Sequence, residues 1–200
     1  MTRRAAVFID RDGVINALVT DPQTRRPESP LRVDDVVLLP GAAAALVRLK
    51  RDGWPLVGVS NQPAAAKGLV SRGRLQSVQA RVLELLAAEG VSFDDFRLCL
   101  HHPDAVLPEL AGPCECRKPA PGMLLAAAQA RDLDLGRSWM VGDTDSDVLA
   151  GQAAGCSTVL ITNAGSAHKR AGSAVPDATA GDLGEAAELI LAARRSTLTE

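Results

Sequence analysis

Aromatic side chains are scarce. Phe, Trp and Tyr make up 2% of the 200 residues, and tyrosine is absent. That excludes a stacking platform for single-stranded nucleic acid, which needs a series of flat rings. It also leaves Ala, Val and Leu to build the core. Neither charge sign dominates: 22 Lys and Arg face 24 Asp and Glu, for a net charge of −2. A strongly basic duplex binder is thereby excluded. No apolar run reaches the roughly 20 residues that cross a bilayer. The short apolar stretch after Arg3 and Arg4 stops at Asp10, too soon for the apolar region of a signal peptide. The expectation is a cytoplasmic protein with neither nucleic-acid nor membrane partners. Its composition is 46% hydrophobic and 23% charged, which is globular. The length suits one domain over 1–200, with a core that needs no disulfides.

Apolar runs and turn residues alternate in a regular way. Ala5 to Ile9 reads as a strand buried on both faces, because it is apolar without alternation. Pro55 to Val59, Phe96 to Leu100, Ser138 to Val141 and Ser157 to Ile161 read as four more strands. Helices are expected over Gly41–Asp52, from Ser71 to Glu89, from Pro121 to about Asp132, over Asp145–Ala154 and over Leu183–Arg195. Residues 11–39, residues 101–120 and the segment Ala164 to Pro176 read as loops. Strands alternating with helices predict an α/β fold: a Rossmann-like parallel sheet with helices on both faces.

Three strands end in polar residues: Asp10, Ser60 and Asp143. In an open α/β sheet the ligand crevice lies beyond the carboxyl ends of the strands, so these residues are expected to converge. Asp10-Arg11-Asp12-Gly13 offers two carboxylates, one to attack and one to move a proton. The acidic run from Asp143 to Asp147 would repel Asp10 unless a cation lay between them, and Mg²⁺ suits such oxygen ligands. Acids in a first helical turn also serve the helix, a role open to Asp145 or Asp147. Lys118 could neutralise a transferring phosphoryl group, and Arg117 could grip a phosphate or carboxylate. Ser60, Asn61 and Gln62 supply a hydroxyl and amides for phosphate oxygens, and Lys67 adds charge. Cys99-x-His101, followed by Cys114-x-Cys116, has the make-up of a closed tetrahedral Zn²⁺ site, with His102 as an alternative ligand to His101. Zinc held by four protein ligands is structural.

Taken in order, Asp10-Arg11-Asp12-Gly13, Ser60, Lys118 and Gly142-Asp143 resemble the four motifs of the haloacid dehalogenase (HAD) superfamily of phosphatases. The stretches Val7–Asn16, Cys99-Leu100-His101-His102-Pro103 and Cys114–Met123 are similar to those of the D-glycero-D-manno-heptose 1,7-bisphosphate 7-phosphatase group and its histidinol-phosphatase relatives. The resemblance spans about residues 5 to 165. It implies a fold without a large cap domain, whose zinc loop helps to form the substrate pocket. It also implies Mg²⁺-dependent hydrolysis of a phosphorylated sugar through an aspartyl-phosphate; the expected oligomeric state is a monomer. Asp10 would be the nucleophile and Asp12 the general acid and base. Ser60 and Lys118 would steady the phosphoryl group. Asp10, the Asp12 carbonyl and Asp143 would hold Mg²⁺, and Arg117 would help recognise substrate. The chain departs from the group at Pro63 and Ala64, and at Thr144, where a lysine is common. Histidinol phosphate or another sugar phosphate is the alternative substrate. A non-catalytic, zinc-stabilised interaction module is the alternative of another class; loss of Asp10, Asp12 or Lys118 would have marked it, and all three are present.

Overall fold

A computed structural model describes residues 3–22, 24–172 and 174–197. In chain order the strands are β1 (Val7–Ile9), β2 (Val19–Thr20), β3 (Pro27–Glu28), β4 (Leu56–Asn61), β5 (Asp95–Cys99), β6 (Trp139–Gly142), β7 (Ser157–Ile161) and β8 (Ala178–Ala180). The α-helices are α1 (Ala42–Arg51), α2 (Arg72–Ala88), α3 (Gly122–Arg131), α4 (Asp145–Ala154) and α5 (Leu183–Thr197). Six strands form one parallel sheet in the order β5-β4-β1-β6-β7-β8. Successive side chains of a strand point to opposite faces. Val7 and Ile9 accordingly join a core with Leu46, Val82 and Ile190 from α1, α2 and α5. Phe8 joins a second core with Leu124 and Ala150 from α3 and α4. Helices therefore cover both faces, as the continuous apolar strands predict. No helix among the described residues is long and apolar enough to cross a membrane.

Three segments differ from the sequence reading. The stretch 11–39 carries a small antiparallel ribbon, β2 with β3, and a 3-10 turn at Val33–Asp35. A sixth strand, β8, pairs with β7 at the sheet edge. The Ala164 to Pro176 segment is not wholly superficial: it begins with a 3-10 helix, Ala164–Lys169, whose Ser166 is fully buried.

The helix α3 starts against the cysteine loop. Gly122 donates its N–H to the Glu115 carbonyl at 2.9 Å. A Cβ at Gly122 would strike that same carbonyl, which is backbone and cannot swing aside. Gly122→Ala is therefore expected to destabilise the protein by about 1–3 kcal/mol. Thermal melting checks this; an unchanged Tm would mean that the loop shifts at no cost.

Candidate active site

The chain order of the sheet reverses at β1, with β4 on one side and β6 on the other. Such a switch point opens a crevice beyond the carboxyl ends of the strands. Asp10 follows β1, Ser60 and Asn61 close β4, and Asp143 follows β6. All four line one pocket of about 260 Å³, together with Asp12, Lys67, Arg117 and Lys118.

Lys118 lies at its centre, 2% exposed. Its ammonium donates to the Val59 carbonyl at 2.7 Å and pairs with Asp10 Oδ1 at 3.0 Å and Asp147 Oδ1 at 2.6 Å. An ammonium has three protons, so all are engaged. Burial disfavours the charge, but Asp10 and Asp147 outweigh it and hold the Lys118 pKa above its ordinary value. Asn61 fixes the lysine's backbone from both sides, accepting from Lys118 N–H at 3.1 Å and donating to its carbonyl at 2.9 Å.

Burial lifts Asp10 to about 6, with Asp147 and Asp12 adding to the lift and Lys118 opposing it. Burial also lifts Asp143 to about 8, aided by Asp10 and Asp147. The Ser166 hydroxyl donates to Asp143 Oδ2, while the buried Asp143 Oδ1 has no hydrogen-bond partner among the described residues. Oxygens of Asp10, Asp143 and Asp147 lie within 4.8 Å of one another. Three carboxylates thus face one ammonium, and one carboxylate oxygen is unused. This donor set fits a hard divalent cation that takes oxygen ligands.

Asp12 is in a different state. Arg11 grips it through Nε at 3.1 Å and Nη2 at 2.9 Å; Asn16 donates to it at 2.9 Å and Gln62 at 2.5 Å. Burial would raise its pKa, but Arg11 and these hydrogen bonds hold it below the ordinary carboxylate range. Gly13 follows with φ +83°, and a side chain there would collide with Asp143. Only glycine lets the two loops meet so closely.

The cysteine loop also comes together. Cys99, His101, Cys114 and Cys116 present ligand atoms within 4.8 Å of one another. The separations run from 3.0 Å for Cys116–Cys99 to 3.8 Å for Cys99–Cys114 and for Cys99–His101 Nδ1. Sulfurs about 2.3 Å from a tetrahedral Zn²⁺ would lie roughly 3.8 Å apart, so the cluster has a suitable size. His102 is outside it, with Nδ1 accepting from the Asp104 N–H at 3.1 Å. Cys156 is buried elsewhere as a free thiol.

Most residues picked out from the sequence meet at this pocket. Gln62 does not line it: 1% exposed, its amide is spent on Asp12 and on Ser60 Oγ, at 3.0 Å for the latter. Ser166 lines the pocket and Asp147 pairs with Lys118; neither was expected at the site. Asp147 Oδ2 accepts from the Thr144 N–H at 3.0 Å and the Thr144 hydroxyl at 2.6 Å, which caps α4, while Oδ1 faces Lys118. The only signal for it was its place in the acidic run after β6, where a first-turn carboxylate also reads as a helix cap. Ser166, in a Gly-, Ser- and Ala-rich stretch, carries no such signal. Glu28 on β3 and Lys169 on the 3-10 helix, both lining the pocket, pair at 2.8 Å across its mouth.

Comparison with known proteins places this geometry. A D-glycero-D-manno-heptose-1,7-bisphosphate 7-phosphatase of Thermosynechococcus vestitus is 38% identical over 195 residues, covering 94% of this chain and 95% of the relative. The chain belongs to this phosphatase family. A D-glycero-beta-D-manno-heptose-1,7-bisphosphate 7-phosphatase of Rhodopseudomonas palustris is 37% identical over 153 residues, covering 76% of this chain and 81% of the relative. A HAD-hydrolase-like family model matches residues 115–186. The crystal structure of D,D-heptose 1,7-bisphosphate phosphatase from B. bronchiseptica, complexed with magnesium and phosphate, superposes with a TM-score of 0.79 at 30% identity. That match covers 94% of this chain and 99% of the other. The protein is thus a phosphatase of the HAD type, on the Rossmann-like parallel sheet that the family resemblance implies.

Proposed function

We propose that this phosphatase removes the 7-phosphate of a D-glycero-D-manno-heptose 1,7-bisphosphate in a Mg²⁺-dependent reaction. The observation that supports it most is the grouping of Asp10, Asp143 and Lys118 on the pocket floor, with Lys67 and Arg117 also on its wall. A bisphosphate needs two anion sites: the floor suits the phosphate that is cleaved, and the two further cations suit the one that is kept. Its relatives' names point to the same substrate.

Asp10 attacks phosphorus, and the bond from phosphorus to the sugar oxygen breaks. The leaving oxygen takes a proton from Asp12. Water, deprotonated by Asp12, then attacks the aspartyl-phosphate and releases phosphate and free Asp10. Asp12 is held here as a carboxylate, which suits the second step. For the first step it takes up a proton and exchanges Arg11 and Gln62 for the leaving oxygen. Lys118 and the Ser60 hydroxyl steady the phosphoryl oxygens. Asp10, Asp143 and the Asp12 carbonyl would hold Mg²⁺, which supplies positive charge against those oxygens when bound. Cys99, His101, Cys114 and Cys116 would hold a structural Zn²⁺.

Asp147 acts here as a positioning residue for Lys118. Asp147→Asn is expected to lower kcat by about 10²-fold and to leave KM nearly unchanged. A kcat equal to that of the parent would remove that role. The substrate is tested by phosphate release from the heptose bisphosphate, histidinol phosphate and hexose phosphates. The expected result is a kcat/KM about tenfold or more in favour of the heptose. Preference for another phosphate would move the substrate and keep the chemistry, and release from none would defeat the proposal.

A further inference from the structure

A second and larger cavity lies at the other end of the sheet. Its volume is about 620 Å³, against about 260 Å³ for the pocket above. Its wall forms where strands begin: Trp54 shortly before β4, Trp139 as the first residue of β6 and Ser157 as the first of β7. The catalytic groups sit where β4 and β6 end. With strands rising about 3.3 Å per residue, the four residues of β6 separate the two sites by roughly 10–13 Å.

Four arginines line this cavity, Arg3, Arg4, Arg137 and Arg194, and no carboxylate does. Arg3 pairs with Asp132 and Arg194 with Asp52, each at 3.1 Å. Arg4 and Arg137 make no ion pair and no side-chain hydrogen bond among the described residues. Both tryptophans of the chain are here. The Arg194 guanidinium lies 5.0 Å from the Trp54 ring centroid. Trp54 is 4% exposed, and its indole N–H has no acceptor among the described residues. Trp139, half-buried, offers a flat apolar wall.

Guanidinium groups recognise phosphate through paired N–H donors, and indoles accept flat rings. The volume falls within the roughly 300–1,000 Å³ of small-molecule sites. We propose that this cavity is a second binding site, for a nucleoside phosphate, with the phosphates on Arg4 and Arg137 and the base against Trp139. A lone anion would leave the indole wall unused, and an uncharged ring would leave the arginines unused. None of these residues takes part in the hydrolysis, so the site stands or falls independently of the substrate proposed above.

The composition supplies the assay. With no tyrosine and both tryptophans on this cavity, intrinsic fluorescence reports on it almost alone. Titration of the Mg²⁺-free protein with ADP, corrected for absorbance and repeated by calorimetry, is expected to give saturable quenching. Adenosine and pyrophosphate are each expected to bind about tenfold more weakly or worse, and Arg4→Ala combined with Arg137→Ala to weaken ADP by a similar factor. Lys67→Ala, which removes a cation from the catalytic pocket, is expected to leave ADP binding unchanged. Both arginines are exposed and make no ion pair within 4 Å, Arg4 acting on the Asp94 carboxylate only at longer range, so the double variant should keep the parent's circular dichroism; the charge-keeping pair Arg4→Lys and Arg137→Lys should lose less affinity. Quenching that never saturates, equal affinity in the double-alanine variant, or loss of binding in Lys67→Ala would overturn the site. Pyrophosphate binding as tightly as ADP would overturn the nucleoside part.

Discussion

Asp10→Asn is expected to lower phosphate release by about 10⁴–10⁶-fold, because an amide cannot form the covalent intermediate. It is also expected to stabilise the metal-stripped protein. Asp10 titrates near 6 in the folded chain, above its ordinary 3.8, chiefly because it is buried. The folded form therefore holds that proton more tightly than the unfolded chain does. The stability this confers is fully present below about pH 4 and is lost as pH rises through 6. At neutral pH the ionised group costs roughly 2–3 kcal/mol. Asn keeps the shape without the charge, so the stripped variant should melt several degrees above the stripped parent at pH 7.5, with the gap closing near pH 4. A lower melting point at pH 7.5 would mean that the ion pair with Lys118 outweighs burial. Activity retained in the variant would remove Asp10 as the nucleophile.

Cys114→Ser is expected to lose the bound zinc and, with it, most of the turnover. The link is short: Lys118 lies two residues beyond Cys116, and Arg117 donates to the carbonyl of His101, one of the four cluster residues, at 3.3 Å. Metal binding and local folding are coupled at such sites. Elemental analysis should find about one zinc per chain in the parent and almost none in the variant. Turnover at saturating Mg²⁺ should fall about tenfold or more, as a loosened loop misplaces the lysine. Full zinc content in the variant would refute the ligand assignment, and full turnover without zinc would detach the loop from catalysis.

The core of the fold was legible where sequence patterns are strong. The helix Asp145–Ala154 and the strand Ser157–Ile161 lie where Gly155 and the apolar run put them. The strand Ala178–Ala180 escaped because its two alanines are poor strand formers and one threonine is too little signal, and its pairing with β7 supplies the rest. The β2–β3 ribbon escaped because two-residue strands leave no period to read. At the site, the motif residues were legible because strand ends converge in this topology. What an individual side chain spends its hydrogen bonds on was not. Gln62, read as a phosphate ligand, donates to Asp12, and Asp147, read as a helix cap, is both cap and partner to Lys118.

The Glu28–Lys169 ion pair across the pocket mouth gives this enzyme an ionic-strength signature. Both side chains are partly exposed, so the pair is worth about 0.2–1 kcal/mol, and dissolved salt weakens it. On the role proposed for Lys67 and Arg117, the same salt weakens their pull on an incoming phosphate. One effect frees the entrance and the other slows capture. Dilute buffer therefore favours encounter with a door half shut, and concentrated buffer favours an open door that few anions approach.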